Sequence, residues 1–149
     1  MSGEGEAEAE AEANVRQAVP FFMVTDMEAS LRFYVDGLRF EITHRWVGDG
    51  GKLRWCMMRT GAASLMLQEY APDGHGGSKP EGKLGLGVSI CFVCKDALAI
   101  YRDAKARGVA VQTPFVGNAM WVTSLSDPDG YRIDFESSTD VPEETVYSE

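Results

Sequence analysis

Hydrophobic positions along this chain change period several times, and the order of the changes occurs twice. Residues 19–25 are mainly apolar over a strand's length, after which Met27, Leu31, Tyr34 and Leu38 recur at helical spacing. Thr25 followed three residues later by Glu28 has the form of a capping box, and Gly37 stands where such a helix is expected to end. Residues 40–47 then alternate, with Phe40, Ile42, His44 and Trp46 predicted on one face. Gly48, Asp49, Gly50 and Gly51 form a turn, and 53–59 and 64–70 read as two further strands.

Residues 71–86, APDGHGGSKPEGKLGL, are rich in Gly, Pro and charge and show no period, which marks a linker. The first pattern then returns. Residues 88–94 form a strand, Asp96 caps a helix carrying Leu98, Tyr101 and Lys105 along its length, and Gly108 ends it. Stretches 109–112, 121–125 and 131–136 supply three more strands. The last two are joined by Asp127-Pro128-Asp129-Gly130, whose Pro and Gly suit a type I turn. Each half therefore reads β-α-β-β-β. The predicted fold class is α+β, with tandem modules at 18–70 and 87–137, a disordered acidic tail at 1–14 and an acidic C-terminal tail at 138–149.

The formal net charge of -9 changes meaning once it is located. Five acids (Glu4, Glu6, Glu8, Glu10, Glu12) lie in the N-terminal tail and four (Asp140, Glu143, Glu144, Glu149) at the C-terminus. Setting those nine aside from 23 leaves 14 acids against 14 Lys and Arg. A neutral body has no basic patch for nucleic acid and no acidic field for a cationic macromolecule. The first thirteen residues have neither a basic n-region nor an apolar h-region, so no secretory signal is expected. No apolar stretch approaches the roughly 20 residues that cross a bilayer, so no membrane partner is expected. Cys56, Cys91 and Cys94 in such a chain fit reduced thiols and a cytoplasmic location.

Several phrases are recognisable together. V-x-D-x-x-x-S-x-x-F-Y, with Asp26, Ser30, Phe33 and Tyr34, is followed by G-L-x-F at 37–40. DPDGYRIDF occupies 127–135, and RWCMMRTGAASLMLQE occupies 54–69. In this order, over about 18–137, they resemble the vicinal oxygen chelate superfamily of glyoxalases, bleomycin-resistance proteins and extradiol dioxygenases, the bleomycin-resistance branch most of all. The resemblance implies paired modules whose curved mixed sheets surround a cavity. It also implies a homodimer, which in some members completes the cavity with strands from a second chain.

Metal-using members hold one divalent ion with four side chains, one on the first and one on the last strand of each module. Carried onto this chain, the resemblance puts those positions at Val19, Met66, Ser89 and Asp134. Valine offers no donor, and one carboxylate does not offset the dehydration of a divalent ion. The two histidines, His44 and His75, fall on none of the four positions. No metal and no other cofactor is therefore expected.

Side chains alternating with those positions give the expected ligand lining: Val19 and Phe21, Met66 and Gln68, Ser89 and Cys91, and Arg132, Asp134 and Glu136. This is a mainly apolar wall with polar groups at its edges, the usual make-up of a small-molecule site. Trp121, near the closing hairpin, is added as an aromatic platform. The bland alternatives are a packed core for the aromatics and methionines, and a solvated, internally paired strand face for Arg132, Asp134 and Glu136.

Other motifs carry less. Cys91 and Cys94 spell C-x-x-C, but residues three apart on a strand point to opposite faces. GDGGK at 48–52 lacks the Walker spacing and a following helix. His75 reads as an exposed linker residue, and no Ser-His-Asp set suggests itself. The leading expectation is a metal-free protein that binds a small aromatic or amphipathic compound, with no catalytic residues. The alternative is a metal-dependent lyase, isomerase or dioxygenase of the same superfamily using Asp134.

Overall fold

The computed structural model describes residues 13–71 and 78–149. The first module contains β1 (Phe21–Val24), α1 (Met27–Leu31, prolonged as a π-helix over Arg32–Gly37), β2 (Glu41–Val47), β3 (Leu53–Thr60) and β4 (Ala63–Glu69). The second contains β5 (Ser89–Val93), α2 (Ala97–Ala106), β6 (Phe115–Gly117), β7 (Met120–Ser126) and β8 (Arg132–Ser138). Each builds a four-stranded mixed sheet, ordered β1-β4-β3-β2 and β5-β8-β7-β6. In both, the first strand is parallel to the last and the other pairings are antiparallel. The fold is α+β with two tandem β-α-β-β-β modules, as the periodicity predicts.

Asp96 caps α2, its carboxylate accepting the Ala99 N–H at 3.0 Å. At α1 the cap is Asp26, accepting from Ala29 at 3.3 Å, and not the expected Thr25. The Thr25 hydroxyl instead donates to Asp129 of the second module at 2.6 Å, a tertiary contact that overrides the local capping option. Gly37 closes the helical stretch for a packing reason: a Cβ there would lie 2.8 Å from Val109 Cγ2.

Two strand expectations are corrected. Residues 109–112 are not a strand, and β6 begins at Phe115. Pro114 has no N–H for the ladder, so regular pairing starts after it, with Phe115 opposite Val122. In β2 a bulge at Thr43 sets Ile42 opposite Met58 but His44 opposite Met57. His44 and Trp46 therefore leave the face shared by Phe40 and Ile42.

Cys56, Met58, Leu65 and Leu67 from one sheet and Phe92, Ile133, Phe135 and Leu125 from the other belong to one continuous core. Phe40 meets Phe92 edge-on across the modules, with centroids 5.7 Å apart. Tyr34, fully buried, donates its hydroxyl to Asp127 at 2.8 Å. The helix-covered faces of the two sheets thus meet in the middle of the chain, and their other faces point outward.

The last residues do not simply trail away. Val146 forms an antiparallel bridge with Phe115. Glu144 N–H bonds to the Val116 carbonyl and Tyr147 N–H to the Pro114 carbonyl, both at 2.9 Å. The expected N-terminal tail and His75 lie largely or wholly outside the described residues. No helix among the described residues is long and apolar enough to cross a membrane.

Candidate functional site

Strand alternation sorts the candidate residues. Phe22 and Val24 turn into the core, so Phe21 and Met23 face out of the first sheet. Register places Phe21 beside Met66 and Met23 beside Gln68, with Met57 and Trp55 next in line on β3. The Thr43 bulge adds His44 opposite Met57, and Trp46 stands opposite Trp55. This wall is aromatic and methionine-rich, and Phe21 is 45% exposed. Val19 precedes β1 and is half-buried.

At the end of the wall, Trp46, Arg54, Gln68 and Glu69 line a hollow of about 390 Å3. Glu69 is buried and engaged: it accepts the Met27 N–H at 2.7 Å and pairs with Lys52 at 2.6 Å and Arg54 at 3.6 Å. It anchors the start of α1, and the signal for it was a carboxylate at a core-facing strand position.

The outward face of the second sheet is different. Ser89 pairs with Arg132, Cys91 with Asp134 and Val93 with Glu136. Arg132 Nε reaches both Asp134 oxygens, at 3.0 and 3.1 Å, and its Nη2 donates to Ser124 Oγ at 3.3 Å. Asp134 is thus neutralised within its own strand. Glu136 has a neutral partner, the Cys91 thiol, which donates to Oε2 at 2.5 Å. No ion pair involving Glu136 exists among the described residues. Desolvation around the sulfur, the hydrogen bond to Glu136 and the nearby acids push the Cys91 thiol up to about 12.

The candidate set therefore falls into two groups. Phe21, Met66 and Gln68 share the first outward face, and Ser89, Cys91, Arg132, Asp134 and Glu136 share the second. Within one chain the common core separates them. Trp121 joins neither group. It shares a face with Thr123, whose hydroxyl donates to the Ala97 carbonyl of α2 at 2.8 Å, and its ring meets Tyr147 edge-on at 5.9 Å. The bulky pair Trp121 and Leu125 against Val122 and Ser124 was the sequence signal for that orientation.

Of the four positions at which the metal-using relatives coordinate an ion, Val19, Met66 and Ser89 supply no strong donor, and Asp134 is held by Arg132. These residues do not fit a divalent ion. Among the described residues no group of three or more His, Cys, Asp or Glu is arranged to hold one elsewhere.

A family model described as "Glyoxalase/Bleomycin resistance protein/Dioxygenase superfamily" matches residues 16–135. The chain belongs to this superfamily. Solved structures of superfamily type share its fold. One is TnmS3, an antibiotic binding protein from Streptomyces sp. CB03234, with 23% identity and a TM-score of 0.61 over 86% of this chain and 100% of that one. Another is a bleomycin-binding protein complexed with bleomycin, with 21% identity and a TM-score of 0.61 over 83% and 99%. A third is lactoylglutathione lyase from Agrobacterium tumefaciens, with 15% identity and a TM-score of 0.60 over 84% and 96%. No curated protein sequence matches significantly. This superfamily member thus shares its fold with binding proteins and with a lyase, and its own side chains must separate the two.

Proposed function

We propose that this protein is a metal-free, cytoplasmic binder of a small amphipathic compound carrying a flat ring and a cationic group. The observation that supports this reading is the contrast between its two outward faces. One offers Phe21, Met57, Met66 and the paired Trp46 and Trp55; the other offers the uncompensated carboxylate of Glu136. A ring gains by stacking on the first, and a cation by pairing with the second.

In this reading the site is completed in a homodimer, where the apolar face of one copy stands opposite the acidic face of its partner. Exposure of Phe21, Trp46 at 49% and Val93 at 76% supports a surface that gains by being covered. The unpaired cysteines are compatible with a reducing compartment. The fold neighbours described as binding antibiotics support the choice of ligand size.

The test titrates tryptophan fluorescence with a panel of cationic aromatic antibiotics, bleomycin included, alongside light scattering for the dimer. Saturable quenching that weakens about tenfold in Glu136→Gln, but changes little in Asp134→Asn, supports the reading. Near-stoichiometric bound metal that is lost in Asp134→Ala would overturn it in favour of a lyase, isomerase or dioxygenase.

A further inference from the structure

The two modules repeat each other closely enough that their contacts across the seam can be compared position by position. Phe21 lies beside Met66 and Cys91 beside Asp134, so β1 superposes on β5 and β4 on β8. Phe22 then corresponds to Phe92 and Met23 to Val93. The hairpins correspond as well: Asp127 and Tyr131 close one, through Asp127 N–H to Tyr131 carbonyl at 2.9 Å, and Thr60 and Ala63 close the other. Tyr131 in the second module is therefore matched by Ala63 in the first.

That exchange leaves one seam full and the other hollow. In the full seam the Tyr131 ring stacks on Phe22, with centroids 3.9 Å apart and planes 2° from parallel. Its hydroxyl donates to the Met23 carbonyl at 2.8 Å. Packing there is tight enough that a Cβ on Gly85 would collide with the Tyr131 ring. In the other seam a cavity of about 600 Å3 lies between the Thr60–Ala63 hairpin and β5, bounded by Ala62, Ala63, Phe92, Val93, Ile100 and Phe135. It occupies the place where a counterpart of the Tyr131 ring would stand.

The cavity keeps both features that Tyr131 uses. Phe92 lines it, held by Phe135 at 5.3 Å and edge-on by Phe40 at 5.7 Å. The ladder leaves the Val93 carbonyl pointing outward, because the neighbouring Cys94 N–H is the one that turns inward to the Glu136 carbonyl, at 2.9 Å. No lining residue bears a formal charge, and the two thiols there, Cys91 and Cys94, are held protonated, chiefly by desolvation. The lining is uncharged and mainly apolar, with Gln17, Thr60 and Ser64 as its polar side chains, so it suits a neutral molecule with a ring for Phe92 and a donor for the Val93 carbonyl.

We infer that this seam cavity binds a small neutral phenol, with its ring against Phe92 and its hydroxyl donating to the Val93 carbonyl, as Tyr131 does to Phe22 and Met23. The site shares Cys91 and Val93 with the outward face of the second sheet but uses neither Glu136 nor the aromatic wall of the first, so its ligand is tested separately from the one proposed for those faces.

The experiment uses the full chain and 19F NMR titration with 4-fluorophenol, with fluorobenzene as the analogue lacking the donor. Saturable binding of 4-fluorophenol is expected, with fluorobenzene weaker by about threefold to tenfold for the lost hydrogen bond. Backbone amide shifts should move in 60–64 and 90–94 and not around Tyr131. Ala63→Tyr, which supplies the missing ring from within, should abolish binding and raise Tm. Ala63→Leu, which fills the space without a hydroxyl, should abolish binding as well. Absence of saturation in the wild-type chain, equal affinity for fluorobenzene, or undiminished binding in a folded Ala63 variant would each overturn the assignment.

Discussion

Tyr131 fastens the two modules by a flat stack on Phe22 and a hydroxyl bond to the backbone of Met23. The two contributions separate by substitution. Tyr131→Phe keeps the stack and should cost about 1 kcal/mol. Tyr131→Ala also opens the seam and should cost about 3 kcal/mol, the low end for a large aromatic. Urea unfolding should show both as lower midpoints at unchanged slope.

The buried pair of Tyr34 and Asp127 gives stability a pH dependence. Desolvation raises the Asp127 pKa, opposed by hydrogen bonds from Tyr34 and from the N–H groups of Tyr131 and Asp129. A raised folded-state pKa means that the native chain binds this proton more tightly than the unfolded one. The associated stability is present in acid and is lost as pH rises through the folded-state value. Tyr34→Phe removes one opposing bond and raises that value further, so its loss of about 2 kcal/mol at neutral pH should shrink on acidification. A mutant penalty that is constant or larger in acid would contradict the pairing.

Cys91 is exposed, yet its thiol is pushed up to about 12. Iodoacetamide at mildly alkaline pH should modify it about tenfold or more slowly than a free cysteine peptide, because the thiolate is the nucleophile. Glu136→Gln removes the negative charge and leaves a weaker, neutral acceptor for the thiol, and should speed the reaction. Peptide mapping distinguishes Cys91 from Cys56, which is buried.

Tyr147 packs edge-on against both Trp121 and Tyr101, at 5.9 and 5.8 Å. Tyr147→Ala should cost about 1 kcal/mol for the ring contacts and should alter Trp121 emission. Glu143 holds the turn next door, accepting the Asn118 and Ala119 N–H groups at 2.5 and 3.1 Å. Both donors have positive φ. Glu143→Ala should therefore raise amide exchange at 118 and 119 without disturbing α2.

The doubled architecture was legible because period and turn chemistry are local, as at Asp96 and Gly108. The alternation Phe21, Met23 and Met66, Gln68 likewise assigned faces correctly. What escaped were effects of tertiary context. Thr25 was spent on Asp129 and not on its own helix, and the Thr43 bulge moved His44 across the sheet. Trp121 turned inward because α2 and Tyr147 cover that side. The difference between Asp134 and Glu136 is also geometric: residues two apart share a face, so Arg132 reaches one acid and leaves the other. Sequence offered that pairing as one reading and could not choose it.

Two four-stranded sheets have four border strands, and this molecule treats them unequally. Val146 and its neighbours lie along β6, Tyr131 takes the outward Met23 carbonyl of β1, and the Thr43 bulge distorts β2. Among the described residues, β5 alone keeps a straight border, with Val93 exposed along it. Filaments grow when one molecule offers two matching open borders, one for the copy before and one for the copy after. A single open border can join two copies, but it gives a third nowhere to attach.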